Sequence, residues 1–259
     1  MIVIIGDSCI DKFTYGDCNR ICPEAPVPVF TPIKGESNLG MAGNVYNNLE
    51  ALGKETYILT NENKPIKTRL IDRKTNQMLV RIDEDDRCNR ITEREMEEFR
   101  TLMSQKTETK AYDATLIEIE AVVISDYDKG FLTEEDIIKI CKMYECPIFL
   151  DTKKQLGEWC DGVDYIKINN DEYNKTKYTA ITLDIEDKLI VTRGEDGCSF
   201  KGKDYLTDKC EVKDLSGAGD TFLAGLVSKY TDGSSIEEAL DFANEVATKV
   251  VQKKGVAII

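Results

Sequence analysis

A segment of small and acidic residues late in the chain carries the clearest chemical signal. Residues 214–221 read Asp-Leu-Ser-Gly-Ala-Gly-Asp-Thr, and the apolar stretch 222–230 that follows predicts a helix. Small residues let the backbone turn tightly, and a helix that begins there points free N–H groups and its positive dipole end at an anion. Asp220 would lie in the first turn, where a carboxylate can cap the helix or act as a general base. An ordinary glycine turn is the alternative, since short glycine patterns recur by chance.

The elements that must position this loop are predicted by hydrophobic periodicity. Helical stretches separate several short β-rich apolar runs, at residues 2–5, 56–60, 121–124, 147–150, 164–168 and 188–192. Such alternation is typical of a layered α/β protein with a parallel sheet. Thr133 with Asp136, and Ser235 with Glu238, fit capping boxes at helix starts, while Gly53 and Gly255 stand where helices can stop.

Two segments interrupt the α/β pattern. Segment 13–33 contains four of the six prolines, and segment 67–83 predicts a two-stranded hairpin around residues 72–76. Proline in strands is confined to edges, first positions and bulges, so we expect exposed strands here. We therefore predict a single domain, residues 1–259, in which these two segments form a small β lid over the α/β core.

Composition excludes several classes of function. The 259 residues include 34 basic and 48 acidic side chains, a net charge of −14, so we expect neither nucleic acid nor membranes as partners. No apolar run approaches the roughly 18 residues of a membrane helix. The nine cysteines form no C-x-x-C pair, which indicates reduced thiols in a soluble, unexported, cytoplasmic protein. The absence of histidine excludes Ser-His-Asp and Cys-His catalysis.

Several motifs, taken in order, resemble those of the ribokinase-like (PfkB) carbohydrate kinases. Gly-Ala-Gly-Asp at 217–220 resembles the family signature, and residues 40–44 resemble its Gly-Gly-x-x-Asn motif, with Met41 in place of the second glycine. Three further stretches also match: Gly6-Asp7 with Asp11, the N-x-x-E motif at 169–172, and residues 191–194 with Gly197. The resemblance covers most of the chain. It implies a three-layer α/β/α core with a β-strand lid, using ATP and Mg²⁺.

The resemblance also implies a role for each matching residue. Asp220 would be the general base, beside an anion hole formed by the N–H groups of Gly217, Ala218 and Gly219. The sugar-binding candidates are Asp11, Asn44, Gly40, Arg20, Lys67, Arg69 and Arg81. The nucleotide-binding candidates are Asn169, Thr192, Gly194, Gly197, Gly217, Gly219 and Asn244, with Lys153 and Arg193 as further cations near the phosphates. Asn169 and Glu172 would support Mg²⁺ through its water shell.

Longer matching stretches point to one branch of the family, the kinases of D-glycero-β-D-manno-heptose 7-phosphate. They include Pro-Glu-Ala-Pro-Val-Pro-Val at 23–29, Ser-Asp-Tyr at 125–127 and Asp-Thr-Lys at 151–153. The implied product is the 1,7-bisphosphate, and the resemblance also implies a homodimer joined through the lid. A nucleotidyltransferase active site of the H-x-G-H type is excluded, because the chain has no histidine.

The sequence also departs from the family pattern. Only a short link joins Thr60 to Lys67, and the stretch between Glu172 and Lys188 is short, so we expect a core trimmed relative to the family. Two alternatives therefore stay open at this stage. The protein could phosphorylate another sugar or sugar phosphate, because a fold does not determine the substrate. It could also be a catalytically degenerate protein that binds a sugar or a nucleotide.

Overall fold

The predicted alternation of strands and helices is present in the computed structural model, which describes residues 1–108, 118–253, 255, 258 and 259. The strands are β1 (Ile2–Gly6), β2 (Ser8–Asp17), β3 (Thr31–Met41), β4 (Thr56–Thr60), β5 (Ile66–Asp72), β6 (Met78–Glu84), β7 (Ala121–Asp126), β8 (Ile148–Thr152), β9 (Tyr165–Asn169), β10 (Leu189–Thr192), β11 (Cys198–Phe200) and β12 (Lys203–Tyr205). The α-helices are α1 (Ala42–Ala51), α2 (Glu93–Glu108), α3 (Glu134–Met143), α4 (Asn170–Thr182), α5 (Ala218–Thr231) and α6 (Ile236–Val251).

An eight-stranded sheet forms the middle layer, in the order β12-β11-β10-β9-β8-β7-β1-β4. The strands from β10 to β4 are parallel, and β11 and β12 are antiparallel additions at one edge. Ile2 and Ile4 pack on the face covered by α1, α5 and α6, whereas Val3 and Ile5 pack on the face covered by α2 and α3. A parallel sheet covered on both faces explains why its strands are continuous apolar runs. The three-layer α/β/α core is therefore confirmed.

The helix boundaries follow the predicted capping signals. The side chains of Thr133 and Ser235 each accept a hydrogen bond from the backbone N–H three residues on. In return, the carboxylates of Asp136 and Glu238 accept from the N–H groups of Thr133 and Ser235. Both capping boxes are confirmed. Gly53 follows α1 with φ of 79°, a conformation that costs glycine little, so the predicted stop is confirmed as well. All six predicted core strands are present with ends shifted by at most about two residues, within the usual uncertainty of boundaries.

A second sheet of four strands, in the order β3-β2-β5-β6, rises from the carboxyl end of β1. We call these four strands the lid sheet. It begins one residue after Asp7 and returns to the core where β3 leads into α1. Segment 13–33 is only partly strand: Pro23, Pro26 and Pro28 lie in the loop between β2 and β3, and only Pro32 lies in an exposed strand, β3. The hairpin β5–β6 turns at residues 73–77, close to the predicted position.

A short hairpin, β11–β12, is absent from the sequence-based prediction, since three-residue strands give too little periodicity to detect. All nine cysteines fall within the described residues and are free thiols. In the described part of the chain, no helix combines the length and the apolar character needed to cross a membrane.

Candidate active site

Polar side chains gather where the parallel strands end. The carboxyl ends of parallel strands meet at one edge of a sheet, which is where open α/β sheets bind ligands. The residues at or just beyond these ends are Asp7, Asp126, Asp151, Asn169 and Thr192. The segment 217–220 opens α5 beside this edge, and the lid sheet rises from the same edge. The candidate site therefore lies between the carboxyl ends of the strands, the start of α5 and the lid sheet.

Asp220 lies at the centre of the site, buried in the first turn of α5. Asn44 on α1 donates a hydrogen bond of 2.9 Å to Oδ2, and the hydroxyl of Tyr127 donates one to Oδ1. Burial raises the pKa of Asp220 to about 6, while these two hydrogen bonds oppose the rise. A carboxylate with a pKa near neutrality is suited to accept a proton at physiological pH.

The loop before Asp220 has the geometry of an anion site. Gly217 has φ of 81° and precedes α5, and the first N–H groups of any α-helix lack intrahelical partners. The N–H of Ala218, one of the three predicted donors, already donates to the carbonyl of Leu215 at 3.3 Å. A Cβ atom at position 219 would lie 2.9 Å from Nζ of Lys167, so glycine leaves room for this ammonium group. Lys167 is almost fully buried. The loop and Lys167 therefore place two sources of positive potential together.

Lys167 is held by a buried carboxylate from the neighbouring strand. Its Nζ lies 2.7 Å from Oδ2 of Asp151, which is 1% exposed. Burial opposes ionisation of Asp151, but Lys167 and Lys153 hold its pKa below the usual range. The carboxylate is therefore charged at neutral pH. It fixes the ammonium of Lys167 beside the loop and offsets part of the cost of burying it.

Asn169 and Glu172 form a reciprocal cap at the start of α4. The amide oxygen of Asn169 accepts from the N–H of Glu172 at 2.9 Å, and Oε2 of Glu172 accepts from the N–H of Asn169 at 2.8 Å. The other carboxylate oxygen of Glu172 lies 2.7 Å from Nζ of Lys153. Both residues predicted to support a metal thus already have protein partners, although they lie beside the cleft that contains Lys167.

The donor set fits magnesium only as a companion of nucleotide phosphates. Among the described residues, no group of three or more His, Cys, Asp or Glu side chains could hold a metal ion. Magnesium commonly keeps several waters and is bound by one or two carboxylates together with phosphate oxygens. Glu172 can supply one such contact through water. The chain offers no separate metal cage in the part that the structure describes.

The sugar-side candidates divide into paired and unpaired groups. Asp11 is buried on β2, and its Oδ1 accepts a hydrogen bond from Arg69 on β5. A side chain at Gly40 would collide with the Asp11 carboxylate, so glycine permits this arrangement. Lys67 is 8% exposed, and its Nζ lies 5.8 Å from the ring centroid of Tyr127. Among the described residues, no carboxylate lies within 4 Å of the Lys67 ammonium.

Of the two remaining predicted sugar-binding residues, Arg81 lies at the edge of this cluster and Arg20 lies outside it. Arg81 is on the edge strand β6, directly opposite Arg69, and pairs with Asp83 at 2.7 Å. Arg20 is exposed in the loop between β2 and β3. Neither contacts Asp220 or Asn44 in the described structure. The predicted sugar-binding residues that the structure brings together beside Asp220 and Tyr127 are therefore Asp11, Gly40, Asn44, Lys67 and Arg69.

The nucleotide candidates other than Gly217 line two adjoining clefts at the start of α5. One part is a cleft with Thr192, Gly194, Gly197, Gly219 and Asn244 among its lining residues. Its wall is largely apolar, with Val212, Phe222 and Ala247. The adjoining part contains three cations, Lys153, Lys167 and Arg193. Because the two parts share Thr192, Gly194, Leu215 and Gly219, an apolar pocket leads directly into a basic one.

Sequence reasoning missed two residues of the centre, Tyr127 and Lys167. Tyr127 belongs to the matching stretch 125–127, but a stretch of sequence does not reveal which side chain contacts the base. Lys167 lies two residues before Asn169, in a buried strand where a lysine contradicts the apolar pattern. A charged residue in the middle of a buried strand was the available signal, because such residues are rarely fully buried unless paired.

Comparisons with known proteins agree with this geometry. Residues 48–259 match the profile of the pfkB family carbohydrate kinases. The chain is 34% identical to the bifunctional protein HldE of a Nitratiruptor species, over 99% of this chain and 62% of that protein. It thus spans about three fifths of the length of that relative. It is also 30% identical to the D-beta-D-heptose 7-phosphate kinase of Bordetella bronchiseptica, over 100% of this chain and 93% of that protein.

Solved structures show the same fold at much lower identity. The ribokinase of Thermotoga maritima superposes with a TM-score of 0.69 at 16% identity, covering 98% of this chain and 94% of that one. Phosphofructokinase-2 of Escherichia coli superposes with a TM-score of 0.69 at 14% identity, covering 100% and 95%. The ribokinase-like fold, the matched profile and the similarity to a D-beta-D-heptose 7-phosphate kinase over nearly its full length agree. The chain belongs to the pfkB family of carbohydrate kinases.

Proposed function

We propose that this protein is an ATP-dependent kinase that phosphorylates a hydroxyl group of a sugar phosphate. The observation that carries the proposal is the position and pKa of Asp220. Its carboxylate has a pKa of about 6. On one side lie the polar lid residues Asp11 and Lys67, and on the other a basic cleft adjoins an apolar pocket. This order of surfaces suits a sugar hydroxyl, the nucleotide phosphates and the base of ATP.

The chain's own residues can perform each part of the transfer. Asp220 accepts the proton of the attacking hydroxyl while the sugar oxygen bonds to the γ-phosphorus and the bond to the β-phosphate oxygen breaks, which releases ADP. The N–H groups of Gly217 and Gly219 and the ammonium of Lys167 stabilise negative charge on the phosphoryl oxygens. When bound with ATP, magnesium neutralises further phosphate charge. Asn44 orients Asp220 through the hydrogen bond to Oδ2.

Lys67 favours a substrate that carries its own phosphate. The cation is buried beside the site, and the carboxylates opposite it in the strand register, Asp11 and Asp83, form their ion pairs with Arg69 and Arg81. Binding an anion would therefore offset the cost of burying the charge of Lys67. Arg69 fits this role less well, because Asp11 already accepts its hydrogen bond. A heptose 7-phosphate kinase is among the full-length relatives. We infer that the substrate is D-glycero-β-D-manno-heptose 7-phosphate and the product its 1,7-bisphosphate.

ADP release measured against heptose, hexose and pentose sugars, each with and without a terminal phosphate, tests the proposed function. We expect kcat/KM to be higher for the phosphorylated member of the best pair. Lys67→Met should reduce that preference by about 10- to 100-fold, because hydrogen bonds to charged groups are worth about 1.5–3 kcal/mol.

Lys12→Met is the matched control, since Lys12 is exposed on the same sheet one residue after Asp11. Successive strand residues point to opposite faces, so this variant should keep the preference for phosphorylated sugars. Equal kcat/KM for a sugar and its phosphate would contradict the substrate class. ADP release from none of the sugars would favour a binding protein over a kinase.

The lid sheet supports a homodimer. Opposite residues in neighbouring strands share a face, so Leu70 with Val80 and Thr68 with Ile82 lie on the face turned away from Arg69 and Arg81. On that face Val80 is 48% exposed and Ile82 is 44% exposed. An exposed apolar sheet face favours association. We propose that two lid sheets pack through these faces in a twofold dimer. We also propose that the protein is cytoplasmic, because a reducing compartment keeps its nine thiols free.

Light scattering at low micromolar concentration tests the dimer. We expect twice the mass of one 29.2 kDa chain for the wild type and the mass of one chain for Val80→Glu with Ile82→Glu. An apolar interface offers no partner for the two introduced carboxylates, so the cost of desolvating them opposes dimerisation. Tyr178→Glu is the control, since Tyr178 is 76% exposed on α4, outside the lid sheet. A fully active wild-type protein with the mass of one chain would refute the dimer.

A further inference from the structure

Tyr127 occupies a position that the proposed reaction has not yet used. It follows the carboxyl end of β7, and its backbone N–H donates to the Asp7 carboxylate at 2.6 Å. Asp7 also accepts from the N–H of Phe131, so one buried carboxylate holds both ends of this loop. The loop therefore holds the Tyr127 side chain in a defined place at the edge of the sheet.

The side chain of Tyr127 connects the base to both halves of the site. Its hydroxyl donates to Oδ1 of Asp220, 93 residues further along the chain. Nζ of Lys67, from the lid sheet, lies 5.8 Å from the ring centroid, and Nζ of Lys153, from the core, lies 5.2 Å from it. Cations within about 6 Å of an aromatic centroid are attracted to the face of the ring. The ring is thus near a cation of the lid and a cation of the core.

The hydroxyl is a fixed hydrogen-bond donor. Burial, reinforced by Asp220 and Asp151, raises the pKa of Tyr127 well above its ordinary value, so the phenol stays protonated throughout the neutral range. A hydrogen bond donated to a carboxylate favours its charged form. Without that bond, the hydrogen bond from Asn44 is the main interaction left to oppose the rise in the pKa of Asp220 that burial causes.

We propose that Tyr127 is a positioning residue for Asp220: its hydroxyl fixes one oxygen of the carboxylate between lid and core and favours the ionised state that accepts the substrate proton. The catalytic meaning of this role rests on the proposed kinase function. The hydrogen bond itself does not, because it is present in the protein without substrate.

Other groups near the pair must be separated from the effect of Tyr127. The charged and titratable groups around Tyr127 and Asp220 are Asp7, Cys9, Lys67, Asp126, Asp151, Lys153 and Lys167. Burial raises the pKa of Cys9 to about 12, so this thiol does not titrate in the neutral range. Burial also raises the pKa of Asp7. Because the pKa values of both Asp7 and Asp220 are raised, the experiment must identify which signal belongs to Asp220.

Carboxyl ¹³C chemical shifts of the free protein, followed from pH 5 to pH 9, provide the direct test. Asp220→Asn identifies the signal of Asp220 by its disappearance. In Tyr127→Phe we expect the midpoint of that signal to rise by about one pH unit, since one unit corresponds to 1.36 kcal/mol and a hydrogen bond to a charged group is of that size. The acid limb of kcat/KM should move in the same direction. The rate loss should thus approach tenfold at about pH 5.5 and be much smaller at pH 8.5.

Tyr144→Phe is the matched control. Its hydroxyl is buried without a hydrogen-bond partner among the described residues, so its removal should leave both titrations unchanged. An unchanged Asp220 midpoint in Tyr127→Phe overturns the proposal, as does a rate loss that is equal at all pH values. If the wild type phosphorylates none of the sugars, the proposed function fails, whereas the ¹³C titration still decides the role of Tyr127.

Discussion

Asp220→Asn should lower kcat by about 10²- to 10⁴-fold, the usual contribution of one general base. The amide has the size of the carboxylate but cannot accept the proton of the attacking hydroxyl. Asp220 is not among the residues that line the apolar cleft, so nucleotide binding should change little. Single-turnover rates and a nucleotide titration on the same preparation separate the two effects. Turnover within a factor of two of the wild type would refute the role of Asp220.

The same variant should change how stability depends on pH. The pKa of Asp220 is about 6 in the folded protein against an ordinary value of 3.8, so the folded state binds this proton more tightly. The resulting stability is fully present below pH 3.8 and is lost as pH rises through about 6. The total is about 3 kcal/mol, of which roughly half is lost between pH 5 and pH 8. Asp220→Asn should lack this loss, which urea unfolding at the two pH values can measure.

Asp232→Asn is the control for both measurements. Asp232 is the C-cap of the same helix and pairs with Lys54, with 57% of its side chain exposed. Twelve residues of helix separate the two carboxylates by about 18 Å. The chemical change is identical, but the site is distant. We expect wild-type kcat and a wild-type pH dependence of stability, and a large change in either would attribute the Asp220 effects to a general loss of charge.

Lys167→Met should lower kcat by about 10²- to 10³-fold, the cost of removing one donor that stabilises developing charge. The ammonium lies beside Gly219 in the loop that is proposed to hold the transferred phosphoryl group. The KM for ATP should change less, because the apolar cleft and the other cations remain. Steady-state kinetics with saturating sugar phosphate measure both constants.

Loss of Lys167 also leaves Asp151 buried without its main partner. Breaking such a pair costs about 3–5 kcal/mol, so the single variant should be less stable. Adding Asp151→Asn removes the unpaired charge and should restore most of the stability without restoring the rate. Lys188→Met is the control, since Lys188 contacts only a backbone carbonyl at Asp161 in the described structure. A double variant with wild-type kcat would show that Lys167 has a purely structural role.

The sequence by itself determined the architecture and the position of Asp220, the proposed base. Continuous apolar runs such as 2–5 predicted strands buried on both faces, because a parallel sheet covered by helices leaves no polar face. The cap at Thr133 was predictable because capping depends on residues only three apart. The anion loop and Asp220 were predictable for the same reason, since loop, helix start and carboxylate are contiguous in the chain.

Only the tertiary structure decided which charges are available to a ligand. From the sequence, Lys67 and Arg69 were equivalent cations on one strand face. In the register of β2 against β5, Asp11 lies opposite Lys67 and Phe13 opposite Arg69, yet the Asp11 carboxylate pairs diagonally with Arg69. Among the described residues this leaves the Lys67 ammonium without a carboxylate within 4 Å. Tyr127 and Lys167 become parts of the site through contacts with residues 93 and 52 positions away along the chain. Such contacts depend on strand register and helix packing, whereas periodicity and motif spacing report only neighbours in the chain.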